Sequence, residues 1–170
     1  MLALELGVAS TSTLPAAASA DVIVAESNTV PAPVSLSVDI TVPCPKGGQK
    51  HLKASVNGTI DGATKSVVAD LSSELTPQDC AFRTKEGVTV TVKGDPNLTS
   101  TAHVETQNGL PVGVHTATTK GGFTWSTSDG RSGSCKVDYS ATADYTNNKA
   151  NINGSFCGST ITFSGPLHID

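Results

Sequence analysis

VSLSVDITV, Val34 to Val42, alternates without a break: Val34, Leu36, Val38, Ile40 and Val42 are apolar, and Ser35, Ser37, Asp39 and Thr41 stand between them. Successive side chains of an extended chain point to opposite faces, so this period of two marks a half-buried β-strand. The period returns at Leu52, Ala54, Val56 and Ile60, and again at Val67, Ala69 and Leu71. Between these runs stands DGAT (Asp61 to Thr64), whose Asp-Gly pair accepts the positive φ of a tight hairpin.

The same alternation continues down the chain. CAFRT and VTVTVK read as one pair of strands, with Val88, Val90 and Val92 on one side. LTSTAHVET and VGVHTATT follow, joined around Asn108-Gly109, then GFTWSTS and CKVDYSATADY, then ANINGSF and STITFSG. No helix is expected. About ten short strands, with turn residues every 8–12 positions or so, predict an all-β fold, an antiparallel β-sandwich or barrel.

Composition agrees. Ser and Thr supply 41 residues and aromatics only 4%, which suits pleated surfaces with a thin core. Charged residues are 15%, below the roughly 25% of an ordinary soluble domain. The net charge is −4 with no basic stripe, which argues against a nucleic-acid partner. No stretch approaches the roughly 18 apolar residues of a membrane span.

Four cysteines, Cys44, Cys80, Cys135 and Cys157, are widely spaced, with no C-x-x-C. An even number in a chain of this composition reads as two disulfides made in an oxidising, extracytoplasmic compartment. In each half of the chain one cysteine precedes a hairpin and the other follows it, around Asp61-Gly62 and around Asn147-Asn148. This echo favours Cys44–Cys80 and Cys135–Cys157, with the other two pairings left open.

Residues 1–33 read as a leader and linker, and residues 34–170 as a single all-β domain. Ala18-Ser19-Ala20 has the small residues of a signal-peptidase site, but MLALELGVASTST has no basic start and contains Glu5. The segment is therefore either the remnant of a signal peptide or a plain leader. Val22 to Ala25, ahead of the linker VPAPV, suits an edge-covering strand. Paired to a second copy, it would give self-association into dimers or filaments.

Chemistry is sparse. GGFTWSTSDGRSGSC (Gly121 to Cys135) holds the single tryptophan of the chain. Phe123, Trp125 and Thr127 share one face of a strand, and Asp129 and Arg131 fall in the turn beyond it. The plain reading sends Phe and Trp to the core, while the sharper one makes Trp125 a stacking platform with Asp129 and Arg131 as polar hooks. GRSGS lacks the G-x-S-x-G spacing and its strand-turn-helix setting. His51, His103, His115 and His168 are scattered, so no metal site, cofactor or catalytic residue is expected. Sequons stand at Asn57, Asn97 and Asn153.

CPKGG (Cys44 to Gly48), GDPNLT (Gly94 to Thr99), KGGFTW (Lys120 to Trp125), GRSGSCKVD (Gly130 to Asp138) and GSFCG (Gly154 to Gly158) resemble segments of exported, β-rich bacterial proteins that carry signal or lipoprotein leaders. The resemblance runs from Val34 to Phe163. It implies export and paired cysteines, and no activity. The expected function is a non-enzymatic, secreted or cell-surface β domain with a structural, adhesive or assembly role and a protein partner. The alternative is a module binding a glycan or another small ligand through the Trp125 loop.

Overall fold

The computed structural model describes residues 31–167 and contains strands and turns with no helix. The strands are β1 (Ala32–Pro43), β2 (Gln49–Asp61), β3 (Ser66–Gln78), β4 (Cys80–Arg83), β5 (Thr89–Gly94), β6 (Leu98–Gln107), β7 (Leu110–Pro111), β8 (Val114–Thr127), β9 (Ser132–Asp144), β10 (Lys149–Phe156) and β11 (Ser159–Gly165). All belong to one antiparallel sheet, ordered β1-β2-β3-β6-β8-β9-β10-β11. β4 and β5 are not extra lanes. β5 pairs with β8 over Phe123 to Thr127, and β6 pairs with β8 over Thr116 to Lys120, so the two share one flank of β8. β4 extends the β3 lane past a kink at Asp79, whose φ is 51°.

The result is an up-and-down meander of eight lanes, each hairpin-linked to the next. The all-β antiparallel expectation holds, and the strands are longer than read from the sequence, up to 14 residues in β8. The sheet is open: β1 and β11 are its two edges and do not pair with each other. β1 also begins two residues inside the presumed linker, with Ala32 and Pro33 opposite Ile60 and Thr59. Proline is tolerated there because β1 is an edge. The proposed signal-peptidase site, the Val22 to Ala25 strand and His168 lie outside the described residues.

Hairpin ends show why the lanes turn where they do. The Asp61 carboxylate accepts from the backbone N–H of Ala63 and Thr64. Asn108 and Asn148 hold φ of 53° and 51°, which asparagine tolerates better than most residues. KGG in β8 has a different reason. A Cβ at Gly121 would lie 2.0 Å from the carbonyl oxygen of Asn97, and φ there is +128°. The Asp95 N–H meanwhile donates to the Gly122 carbonyl. The GDPN loop lies directly on β8, and only glycine leaves room for it.

Both disulfides form as favoured, Cys44–Cys80 and Cys135–Cys157. All four cysteines fall at the same end of the sheet, where β1, β3 and β10 finish and β9 begins. There the CPKGG loop is also held by backbone hydrogen bonds to β4, from Ala81 to Gly47 and from Lys46 to Ala81. The opposite end has no covalent tie. It relies on turn-to-turn hydrogen bonds such as Asn108 to Thr64 and Tyr145 to Gly113.

The bridges span sequence separations of 36 and 22 residues, so each is expected to contribute about 3–4 kcal/mol by restricting the unfolded chain. Cys44→Ala/Cys80→Ala should therefore lower the melting temperature by on the order of 10 °C. Scanning calorimetry on the oxidised variant checks this, and an unchanged transition would show that the hydrogen bonds hold that end alone.

Candidate functional site

Directly opposed residues of an antiparallel pair project to the same face, so the registers define two surfaces. One face is polar. Its central row is Ser37, Ser55, Ser72, Thr101, Thr118, Ser140, Asn153 and Thr162, one residue from each lane. Neighbouring hydroxyls bridge the lanes, Ser55 to Ser72 at 2.8 Å and Thr101 to Thr118 at 2.7 Å. The adjacent row carries Asp39, Lys53, Glu74, Thr99, Lys120 and Asp138, opposite charges standing across from one another along much of its length.

The other face is apolar. Its central row runs Leu36, Val56, Leu71, Ala102, Ala117, Ala141, Ile152 and Phe163. Flanking rows add Val38, Ile40, Leu52, Leu75, Leu98, Val137, Tyr139 and Ile161, and three hydroxyl residues in the central lanes, Ser73, Ser100 and Thr119, the last two hydrogen-bonded to each other at 3.0 Å. Lys50 is the one lysine, arginine or carboxylate this face carries in the eight lanes, and it sits at the margin beside Val42. Few positions here are buried, Ala69, Cys135 and Val137 among them. Leu36 and Phe163 are each 48% exposed and Val38 46%. A covered face would bury these side chains, so no second layer lies over the outer lanes of this face among the described residues.

The polar face holds the most organised group of titratable side chains. Asp70 on β3 stands opposite His103 on β6. His103 Nδ1 lies 2.7 Å from Asp70 Oδ1, and its Nε2 lies 3.0 Å from Glu105 Oε1. With a carboxylate on each ring nitrogen the doubly protonated imidazolium is favoured. Hydrogen bonds to Glu105 and then Asp70 raise the His103 pKa above its usual value. A shallow concavity of about 360 Å³ lies over this site, bordered by Ser55, Asp70, Thr101, His103 and Thr118. His115 does not join it. It faces the other side, where its ring meets Tyr145 at a centroid distance of 4.6 Å. Among the described residues no group of His, Cys, Asp or Glu is arranged to hold a metal ion.

Trp125 is half-buried. It stands opposite Gly133, and a Cβ at that glycine would come 2.8 Å from the indole Cζ2, so the ring lies over the bare backbone of β9. Asp129 and Arg131 occupy the following turn and are engaged with each other, Arg131 Nη2 lying 2.8 Å from Asp129 Oδ2. Thr127 also donates its hydroxyl to Asp129. Hydrogen bonds from Arg131 and Thr127 hold the Asp129 carboxyl below the usual carboxylate range. A trough of about 500 Å³ borders Trp125, and its charged members are Asp79 and Lys93, not the turn pair. Sequence reading missed both, because only the β4–β5 pairing brings them beside β8.

An imidazole whose pKa is raised in the fold stabilises the fold below the usual histidine value of about 6.5, and that stabilisation is lost as pH rises through the elevated value. His103 should titrate above that range by NMR, and Glu105→Gln should bring it down more than Asp70→Asn. Equal titration in all three proteins would dissolve the cluster. Set against family models, curated proteins and solved structures, the chain matches none.

Proposed function

We propose that the chain is an exported structural domain that works by docking its sheet onto another polypeptide surface, without catalysis. The observation that carries this reading is the uncovered apolar face, eight lanes wide and nearly free of charge, set against a face of hydroxyls and alternating charges. Large exposed apolar patches mark interaction surfaces in soluble proteins. Two disulfides suit an oxidising, extracytoplasmic environment. No helix among the described residues is long and apolar enough to cross a membrane. A secreted or cell-surface station and an adhesive or assembly role follow from joining these features with the sequence resemblance.

A second reading has one observation in its favour. The trough gathers Asp79, Lys93 and the hydroxyls of Thr124, Ser126, Ser132 and Ser134 along the strand that holds Trp125, whose ring projects to the other face with Val92, and this polar set suits a glycan or another small polar ligand.

The two readings separate in solution. The docking role predicts that dilute, oxidised protein enhances the fluorescence of a hydrophobic dye, and that the enhancement falls as concentration rises and the face becomes covered. The ligand role predicts that Trp125 emission shifts on titration with soluble oligosaccharides. A dye-silent protein whose Trp125 responds to sugar would replace the first reading with the second.

A further inference from the structure

Resting on the docking role, the geometry points to a second copy of this chain as the occupant of the apolar face, the two sheets packing face to face as a β-sandwich built from two chains. The first argument is area. Eight lanes at ~4.8 Å spacing and paired lengths of roughly 30 Å give a face of about 1,000 Å² per copy. Two copies would bury about 2,000 Å², at the upper end of the 1,200–2,000 Å² typical of stable interfaces.

The second argument is charge. A chain of net charge −4 repels its own copies, and an interface between identical surfaces places like charges near one another. The polar face, with Asp39, Lys53, Asp70, Glu74, Glu105, Lys120 and Asp138, would have to strip water from many charged groups, several already paired within the sheet, to dock on itself. The apolar face avoids the difficulty, because its rows carry none of these groups and the net charge stays on the outer surfaces.

The third argument is relief. Side chains are large in the outer lanes, Leu36 on β1 and Phe163 on β11, and small in the central ones, Ala102, Ala117 and Ala141. One face thus carries large side chains at its margins and small ones between them, the pattern on which two copies of one surface can interdigitate.

Other occupants fit less well. A bilayer would have to accept the free edges of β1 and β11, and unpaired backbone groups in hydrocarbon cost several kcal/mol each. Edge-to-edge addition at β1 meets Pro33 and Pro43 near its ends and Asp39 in its middle, features that blunt an edge, and at β11 it has only seven residues to pair with.

The test is sedimentation equilibrium on the full-length oxidised protein and on two double variants. Val38→Lys/Ile40→Lys places two charges on the apolar face of β1, and Ser37→Lys/Thr41→Lys places the same charges on its polar face. All four positions are exposed, so both variants should keep the fold, with circular dichroism as the check. The expected result is a dimer for the parent and the polar-face variant, and a dissociation constant at least two orders of magnitude weaker for the apolar-face variant. Should that variant unfold, methyl NMR of the parent with a soluble relaxation agent replaces it. Leu36, Ala102 and Ala117 should then become shielded on concentration while Thr101 and Thr118 stay exposed.

A dimer that survives the apolar-face charges, or shields the polar face instead, overturns the second-copy inference and leaves an assembly role by another surface. A monomer that floats with phosphatidylcholine/phosphatidylglycerol vesicles overturns it in favour of a lipid surface. A parent monomeric at all concentrations, silent toward dye and unbound to vesicles, removes both the inference and the docking role beneath it.

Discussion

Cross-strand register is the constraint on which everything else in this molecule depends. Because side chains alternate along a strand, a shift of one residue in any lane would exchange its two faces. Leu36 opposite Val56, Val56 opposite Leu71 and so on to Phe163 is a chain of pairings that holds only if every hairpin keeps its length. Slip β2 by one residue and Lys53 would stand among the leucines. The turn residues that fix those lengths, Asp61, Asn108 and Asn148, therefore shape the faces as much as the strands do. So do the glycines at 121 and 122, which let a loop settle on β8 without disturbing its pairing with β9.

The disulfides act on the same constraint. They gather at the end where two lanes are each built from two strands, the place where register is least protected by continuous pairing. Cys44–Cys80 ties the first hairpin to the junction of β3 and β4, and Cys135–Cys157 ties β9 to the turn after β10. A sheet with few fully buried side chains has little packing energy with which to hold such junctions. Covalent closure takes over part of that task, as it does in many small secreted domains.

Much of this was legible in the sequence. The period of two in VSLSVDITV and the turn residues gave strands and hairpins, and the placing of cysteines around two hairpins favoured the pairing that forms. Three things were not legible, each for a physical reason. The merging of β3 with β4 and of β5 with β6 into single lanes depends on pairings between segments far apart in the chain. The His103, Asp70 and Glu105 cluster needs the β3–β6 register, and the approach of Asp79 and Lys93 to Trp125 needs the β4–β5–β8 one. The openness of the sheet lies furthest from reach, since alternation shows that one face is apolar without showing what covers it. The sharper of the two readings of the Trp125 stretch makes Asp129 and Arg131 polar hooks; in the fold they pair with each other, as short turns with opposite charges two residues apart readily do.

The division of the two faces follows from the residues chosen along each lane. Thr suits a pleated backbone much as valine does, being β-branched, and both Ser and Thr present hydroxyls to water. A lane that places Thr101 on one side and Ala102 on the other gives a wet face and a dry one, with Thr supplying the strand preference that Ala lacks. Apart from Lys50 at the margin, the strand charges stand on the wet face, many of them arranged as opposite neighbours, Asp39 beside Lys53 and Lys120 beside Asp138. Exposed pairs of this kind add little stability. Their placement matters more for what it prevents, which is association through the polar surface. Under the docking role proposed above, the apolar face would be the one that meets a partner, with the hydroxyl face left toward solvent.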